Sequence, residues 1–68
     1  MPHIQVTFVK GRTTEQKRRI AERLTRALSE EGKVEPKYIS LSLVEVEADG
    51  FAEGGELVLD RRQREGTK

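Results

Sequence analysis

Pro2 directly follows Met1. Removal of Met1, which is common before a small second residue, turns the proline nitrogen into a terminal secondary amine. Such an amine acts as a general base when burial or a nearby cation draws its pKa towards neutrality. The pyrrolidine ring also holds the nitrogen lone pair in one direction. Without that processing, Pro2 only restricts the chain ahead of an edge strand. Other chemistry-bearing residues are few. His3 is the sole histidine and there is no cysteine. Disulfides, cysteine zinc sites, iron–sulfur clusters and a thiol nucleophile are therefore excluded. No phosphate-binding glycine loop and no metal-ligand spacing occurs. His3 by itself reads as a solvent- or interface-facing imidazole rather than a ligand. Arg18, Arg19, Arg23 and Arg26 form a basic run, but Glu15, Glu22 and Glu30 interrupt it, and two Phe and one Tyr are the only aromatic residues. The run reads as the wet side of a helix, not a nucleic-acid surface.

The elements that must position Pro2 follow from periodicity. Ile4, Val6 and Phe8 alternate with His3, Gln5 and Thr7, the period-2 signature of a strand with one buried face. Gly11 breaks the run. Thr13 with Gln16 fits a capping box, and Glu15 favours the positive end of the helix dipole. From Thr14 to about Glu31, Ile20, Leu24, Ala27 and Leu28 recur at helical spacing, with Ala21 alongside. Glu15–Arg19 and Glu22–Arg26 are i,i+4 pairs in the favourable order. Gly32 can end the helix in a left-handed conformation. After Pro36, Tyr38 to Val46 reads as a second strand, with Ile39, Leu41 and Leu43 on one face and Ser40, Ser42, Val44 and Val46 on the other. Strand, long helix and strand make an α+β chain built on a β-α-β unit with parallel strands and a right-handed crossover. Residues 49 to 56 hold three glycines and read as a tight turn or small hairpin. Residues 1–60 form a single domain, and 61–68 a charged flexible tail.

Sixty-eight residues allow one domain. The chain is polar, with 37% charged residues and mean hydropathy −0.70, yet 13 Lys+Arg against 12 Asp+Glu leave a net charge of only +1. That balance, with periodic apolar patterning, argues against disorder. No apolar run approaches the roughly 20 residues of a membrane helix. No secretory signal precedes His3-Ile4, so a cytoplasmic protein with no membrane partner is expected. Below roughly 70–80 residues a lone core seldom supplies more than about 3–5 kcal/mol. Two strands are too few for a free-standing sheet, and their edges invite pairing. Self-association is therefore expected to complete the sheet.

Pro2 ahead of a short strand, Gly11-Arg12-Thr13-Thr14-Glu15-Gln16-Lys17 entering an amphipathic helix, and Gly50-Phe51-Ala52-Glu53-Gly54-Gly55-Glu56 after the second strand together resemble the 4-oxalocrotonate tautomerase family. The resemblance covers essentially residues 2 to 57. It implies a tautomerase-type β-α-β subunit that pairs into dimers with a four-stranded sheet. Three dimers form a hexamer with pockets built from several subunits; a mixed assembly with a different partner chain is the other arrangement it admits. It further implies a cofactor- and metal-independent isomerase in which the terminal proline shifts a proton in a small unsaturated 2-hydroxy or 2-oxo carboxylic acid. By resemblance Pro2 is the general base, Arg12 holds the substrate carboxylate, and Phe51 lines the pocket. The better-known members carry a second arginine where this chain has Ser40. Serine supplies a hydrogen bond to substrate but no charge, which argues against activity on a dicarboxylate. Glu53 stands where the α-subunit of the related trans-3-chloroacrylic acid dehalogenase has a water-activating glutamate, although Val9 replaces one of that subunit's two carboxylate-binding arginines. Water addition through Glu53, or a non-catalytic assembly subunit, are the alternative readings.

Overall fold

A computed structural model describes residues 1–66. Strand β1, His3–Val9, leads to helix α1, Thr14–Gly32. A 3₁₀ turn over Pro36–Tyr38 enters strand β2, Ser40–Val46. A second 3₁₀ turn, Ala48–Gly50, precedes a hairpin of β3, Ala52–Glu53, and β4, Glu56–Leu57, which runs straight into helix α2, Val58–Arg64. Among the described residues no helix is long and apolar enough to cross a membrane.

The β-α-β unit is as its periodicity predicts. β1 and β2 pair in parallel from His3↔Ser40 to Val9↔Val46. Ile4 and Val6 therefore lie beside Leu41 and Leu43, on the face that α1 covers with Ile20 and Leu28. The register carries Glu45 onto that same face, opposite Phe8, and Lys17 of α1 meets it at 3.1 Å. This half-buried pair fastens the start of the helix to the end of β2.

Both hydrogen bonds of the capping box form: Gln16 N–H to Thr13 Oγ1 at 3.1 Å and Thr13 N–H to Gln16 Oε1 at 2.9 Å. The other end differs from expectation. Gly32 stays helical and Lys33 takes the left-handed conformation at φ 57°. A Cβ at Gly32 would stand 3.3 Å from Leu28 Cδ1, a tight contact with the end of that side chain. Glu15 pairs with Arg19 at 3.5 Å and with Arg18 at 3.2 Å, whereas Glu22 and Arg26 lie beyond ion-pair range among the described residues.

Two boundaries move. Tyr38 belongs to the 3₁₀ turn, closed by Ile39 N–H to Pro36 O at 3.0 Å, so β2 starts at Ser40. Residues 61–64, read from sequence as the start of a flexible tail, are helical in α2. Asp60 in its first turn and Arg61, Arg62 and Arg64 in its last suit the helix dipole. Thr67 and Lys68 lie outside the described residues. In the hairpin, Gly54 and Gly55 take φ 60° and 88°, the two positive values that a two-residue turn of right-handed twist requires.

Burial shows what the subunit lacks. Among the described residues Val58 alone is fully buried, at 3% exposure, while Leu24, Val44, Phe51 and Leu59 stay more than a third exposed. Among the described residues nothing covers the face of the β1–β2 sheet opposite α1, where Gln5, Thr7 and Val44 are exposed. A single copy leaves its core unfinished, as the size argument anticipates.

Candidate active site

The candidate residues divide between the two ends of the β1–β2 sheet. Pro2 and Ser40 share the end where both strands begin. The Ser40 N–H donates to Pro2 O at 3.2 Å, which fixes Pro2 beside β2. Pro2 is half-buried and Met1 is 97% exposed, so Met1 offers no packing obstacle to its removal.

Sequence reasoning missed the role of His3 at this end. Its Nδ1 is 2.6 Å from Ser40 Oγ and its Nε2 is 3.1 Å from Ser42 Oγ. The lone imidazole thus bridges two hydroxyls of the neighbouring strand on the open sheet face. The signal lay in the pairing: a parallel ladder that sets His3 opposite Ser40 brings Ser42 within reach as well.

Arg12 and Phe51 belong to the other end. The seven residues of β1 rise about 3.3 Å each, which puts roughly 23 Å between the two ends. Arg12 lies where the chain leaves β1. Its guanidinium carbon stands 5.0 Å from the centroid of the Phe8 ring, and Nη1 donates to Val9 O at 3.4 Å. Stacking on an aromatic face holds the fork without neutralising it. Among the described residues Arg12 has no carboxylate partner, so its charge is available to an anion. Phe51 follows the turn that leaves β2 at this same end. It is 39% exposed, and its carbonyl accepts from Val58 N–H at 2.8 Å. The ring is thus anchored through its backbone and left open at its face.

Glu53 sits in the hairpin, and Arg61 of α2 donates to its Oε1 at 2.7 Å. Arg61 was also missed, because it falls in the segment read as a tail. A second clasp lies one turn further on, where Arg64 donates through Nε and Nη2 to both oxygens of Glu56 at 2.8 and 3.0 Å. That two-pronged contact lowers the Glu56 pKa and raises that of Arg64. The structure therefore brings Pro2, His3 and Ser40 together at one end of the sheet; Arg12 follows β1 and Phe51 and Glu53 follow β2 beyond the other end, each with its own separate contacts.

Comparison with known proteins places the chain in a family. The family model described as Tautomerase enzyme matches residues 2–61. A probable tautomerase of Halalkalibacterium halodurans is 36% identical over 61 residues, covering 90% of this chain and all of the relative. The 2-hydroxymuconate tautomerase of Bacillus subtilis is 33% identical over 60 residues, 88% of this chain and 97% of the relative. Among solved structures, a 4-oxalocrotonate tautomerase isozyme from Methylibium petroleiphilum superposes with a TM-score of 0.90 at 28% identity, covering 93% and 98% of the two chains. A heterohexamer 4-oxalocrotonate tautomerase from Chloroflexus aurantiacus gives 0.85 at 28% identity, covering 88% and 97%. A family-model match over residues 2–61, with relatives covering about nine-tenths of the chain, shows that this chain belongs to the tautomerase family.

Proposed function

We propose that the chain is a tautomerase-type isomerase that uses Pro2 as general base, once Met1 is removed, to shift a proton in a small unsaturated 2-hydroxy or 2-oxo carboxylic acid. The observation that carries the reading is Arg12: a guanidinium held over Phe8 with no carboxylate partner of its own among the described residues. A forked, uncommitted cation suits a substrate carboxylate. Pro2 then takes the proton from the enol oxygen or from carbon and returns it at the other position. Electrons move from the O–H bond through the double bonds, and no net oxidation occurs. Phe51 lowers the dielectric around the amine, which disfavours its protonated form and keeps it a base at neutral pH.

Because Pro2 and Arg12 stand at opposite ends of one sheet, a working pocket takes Pro2 from one copy and Arg12 with Phe51 from another. A hexamer built as a trimer of dimers supplies such pockets, and the heterohexamer relative supports that size of assembly. The chemistry needs no metal or cofactor, and a cytoplasmic place of action is part of this reading. The name of the Bacillus subtilis relative supports an enol acid as the substrate class, and Ser40 in place of a second arginine favours a monocarboxylate such as phenylenolpyruvate over the dicarboxylate 2-hydroxymuconate. Water addition through Glu53 is the weaker reading, because Arg61 already occupies that carboxylate. The experiment is ketonisation of phenylenolpyruvate and 2-hydroxymuconate by protein whose intact mass shows the methionine gone. Turnover well above that of Pro2→Ala is expected; turnover equal to that variant overturns the assignment and leaves a non-catalytic assembly subunit.

A further inference from the structure

We infer that His3 is a positioning residue, which with Ser42 orients the Ser40 hydroxyl as the donor to the substrate oxygen on which negative charge develops. The inference rests on Pro2 being the base. Proton transfer beside a carbonyl builds charge on that oxygen, and a fixed donor aimed at it is commonly the largest catalytic contribution. On the open sheet face at the Pro2 end, the donors joined to one another are His3, Ser40 and Ser42; the Gln5 amide stands opposite Ser42, one ladder step further from Pro2. The nearest lysine in sequence, Lys37, stands 3.8 Å from Glu35.

The geometry gives the three residues an order. A neutral imidazole has one N–H and one bare nitrogen, so it accepts from one hydroxyl and donates to the other. Ser40 is exposed and Ser42 half-buried, so the hydroxyl left free to donate outward is Ser40. Its oxygen then accepts from Nδ1–H over 2.6 Å, while Ser42 O–H donates to Nε2 over 3.1 Å. All donors then point one way, from Ser42 through His3 and Ser40 to the ligand, and bonds so aligned polarise one another. No bond is made or broken at Ser40; the transferred proton travels between substrate and Pro2.

The test is steady-state ketonisation of phenylenolpyruvate by methionine-free protein. Ser40→Ala lowers kcat about 10²-fold with KM little changed, as expected for a donor that acts on developing charge. His3→Ala lowers kcat about tenfold, and the double variant is no slower than Ser40→Ala, because His3 acts only through that hydroxyl. His3→Asn, whose amide N–H can replace Nδ1–H, recovers most of the rate. Ser42→Ala costs about threefold, and nothing once Ser40 is alanine; this pair decides the matter if His3→Ala disturbs assembly. Losses that multiply, a rise in KM with kcat unmoved, or full activity in Ser40→Ala while Pro2→Ala is inactive would overturn the relay. Full activity in Pro2→Ala is a different failure, that of the general-base assignment.

Discussion

The two ends of the β1–β2 sheet are chemically unlike. Where the strands begin, Pro2, His3, Ser40 and Ser42 are neutral or weakly basic and are joined by short hydrogen bonds across the ladder. Where the strands end, charge dominates. Arg12 stacks on Phe8, Lys10 meets Glu47, Lys17 meets Glu45, and the hairpin is clasped to α2 through Glu53–Arg61 and Glu56–Arg64. A neutral, hydrogen-bonded end suits a base whose pKa must stay low. A charged end where the Arg12 guanidinium has no carboxylate partner among the described residues suits capture of an anion. Neither end alone is a site, and the rigid length of a strand prevents one chain from closing the gap. On the proposed reading the subunit carries two half-sites a strand length apart, so its incomplete core and its incomplete chemistry have the same remedy.

Mixing subunits gives the largest test of that division. Pro2→Ala and Arg12→Ala should each fall below about 1% of the parent kcat/KM, given losses of about 10²–10⁴ for a general base and a comparable one for a bidentate anchor. Co-assembled in equal amounts, the two inactive variants should recover about a quarter of parental activity. Random pairing joins an intact Pro2 to an intact Arg12 in one pocket of four. Activity that stays at background after verified subunit exchange would show that the two residues do not meet across copies.

The hairpin clasp allows a sharper cut within the charged end. If Glu53 is only the partner of Arg61, Glu53→Gln leaves ketonisation within about threefold of parent, as is usual for an exposed ion pair. A loss of hydration of an acrylate or propiolate in the same variant, with tautomerisation spared, would instead give Glu53 a catalytic task. Acid should separate the two ends. The folded Glu56 pKa is depressed below its ordinary value of 4.5 by Arg64, so its contribution to stability is present above that value. It is lost as pH falls through the depressed one. Hydrogen exchange across α2 should therefore lose protection below about pH 4.5 ahead of β1 and β2. Simultaneous loss in both regions, or the same profile in Glu56→Gln, would refute the clasp.

What could be read in the sequence was set by range. The alternation of Ile4, Val6 and Phe8, the Thr13–Gln16 capping box and the Gly54-Gly55 turn depend on neighbours a few residues away, and all three stand as local physics requires. Pro2 is legible as a potential amine base from its position after Met1, but its pairing with Arg12 comes from family resemblance; their separation follows from β1 lying between them. The His3 bridge was invisible locally because its two partners lie 37 and 39 residues on and depend on register. Arg61 and Arg64 look like tail residues until the hairpin turns back and presents Glu53 and Glu56 eight positions earlier. The sequence favoured Gly32 over Lys33 for the left-handed position. The helix instead runs one residue further and closes with Lys33 N–H on Ser29 O.

That last exchange gives the smallest predicted effect and bears on the Pro2 end, over which α1 finishes. A non-glycine residue at φ 57° carries a left-handed penalty of about 1–2 kcal/mol, part of which a glycine would return to its own more flexible unfolded chain. Lys33→Gly should therefore raise stability by about 0.5–1 kcal/mol in denaturant unfolding at fixed subunit concentration. The side chain of Lys33 has no ion-pair partner among the described residues, so little else is lost. If the variant is more stable and equally active, the strain is incidental to the neutral half-site. If stability rises while kcat falls, the left-handed cap helps to set the approach of Val34 and Pro36 to β2, and with it the position of Ser40 beside Pro2.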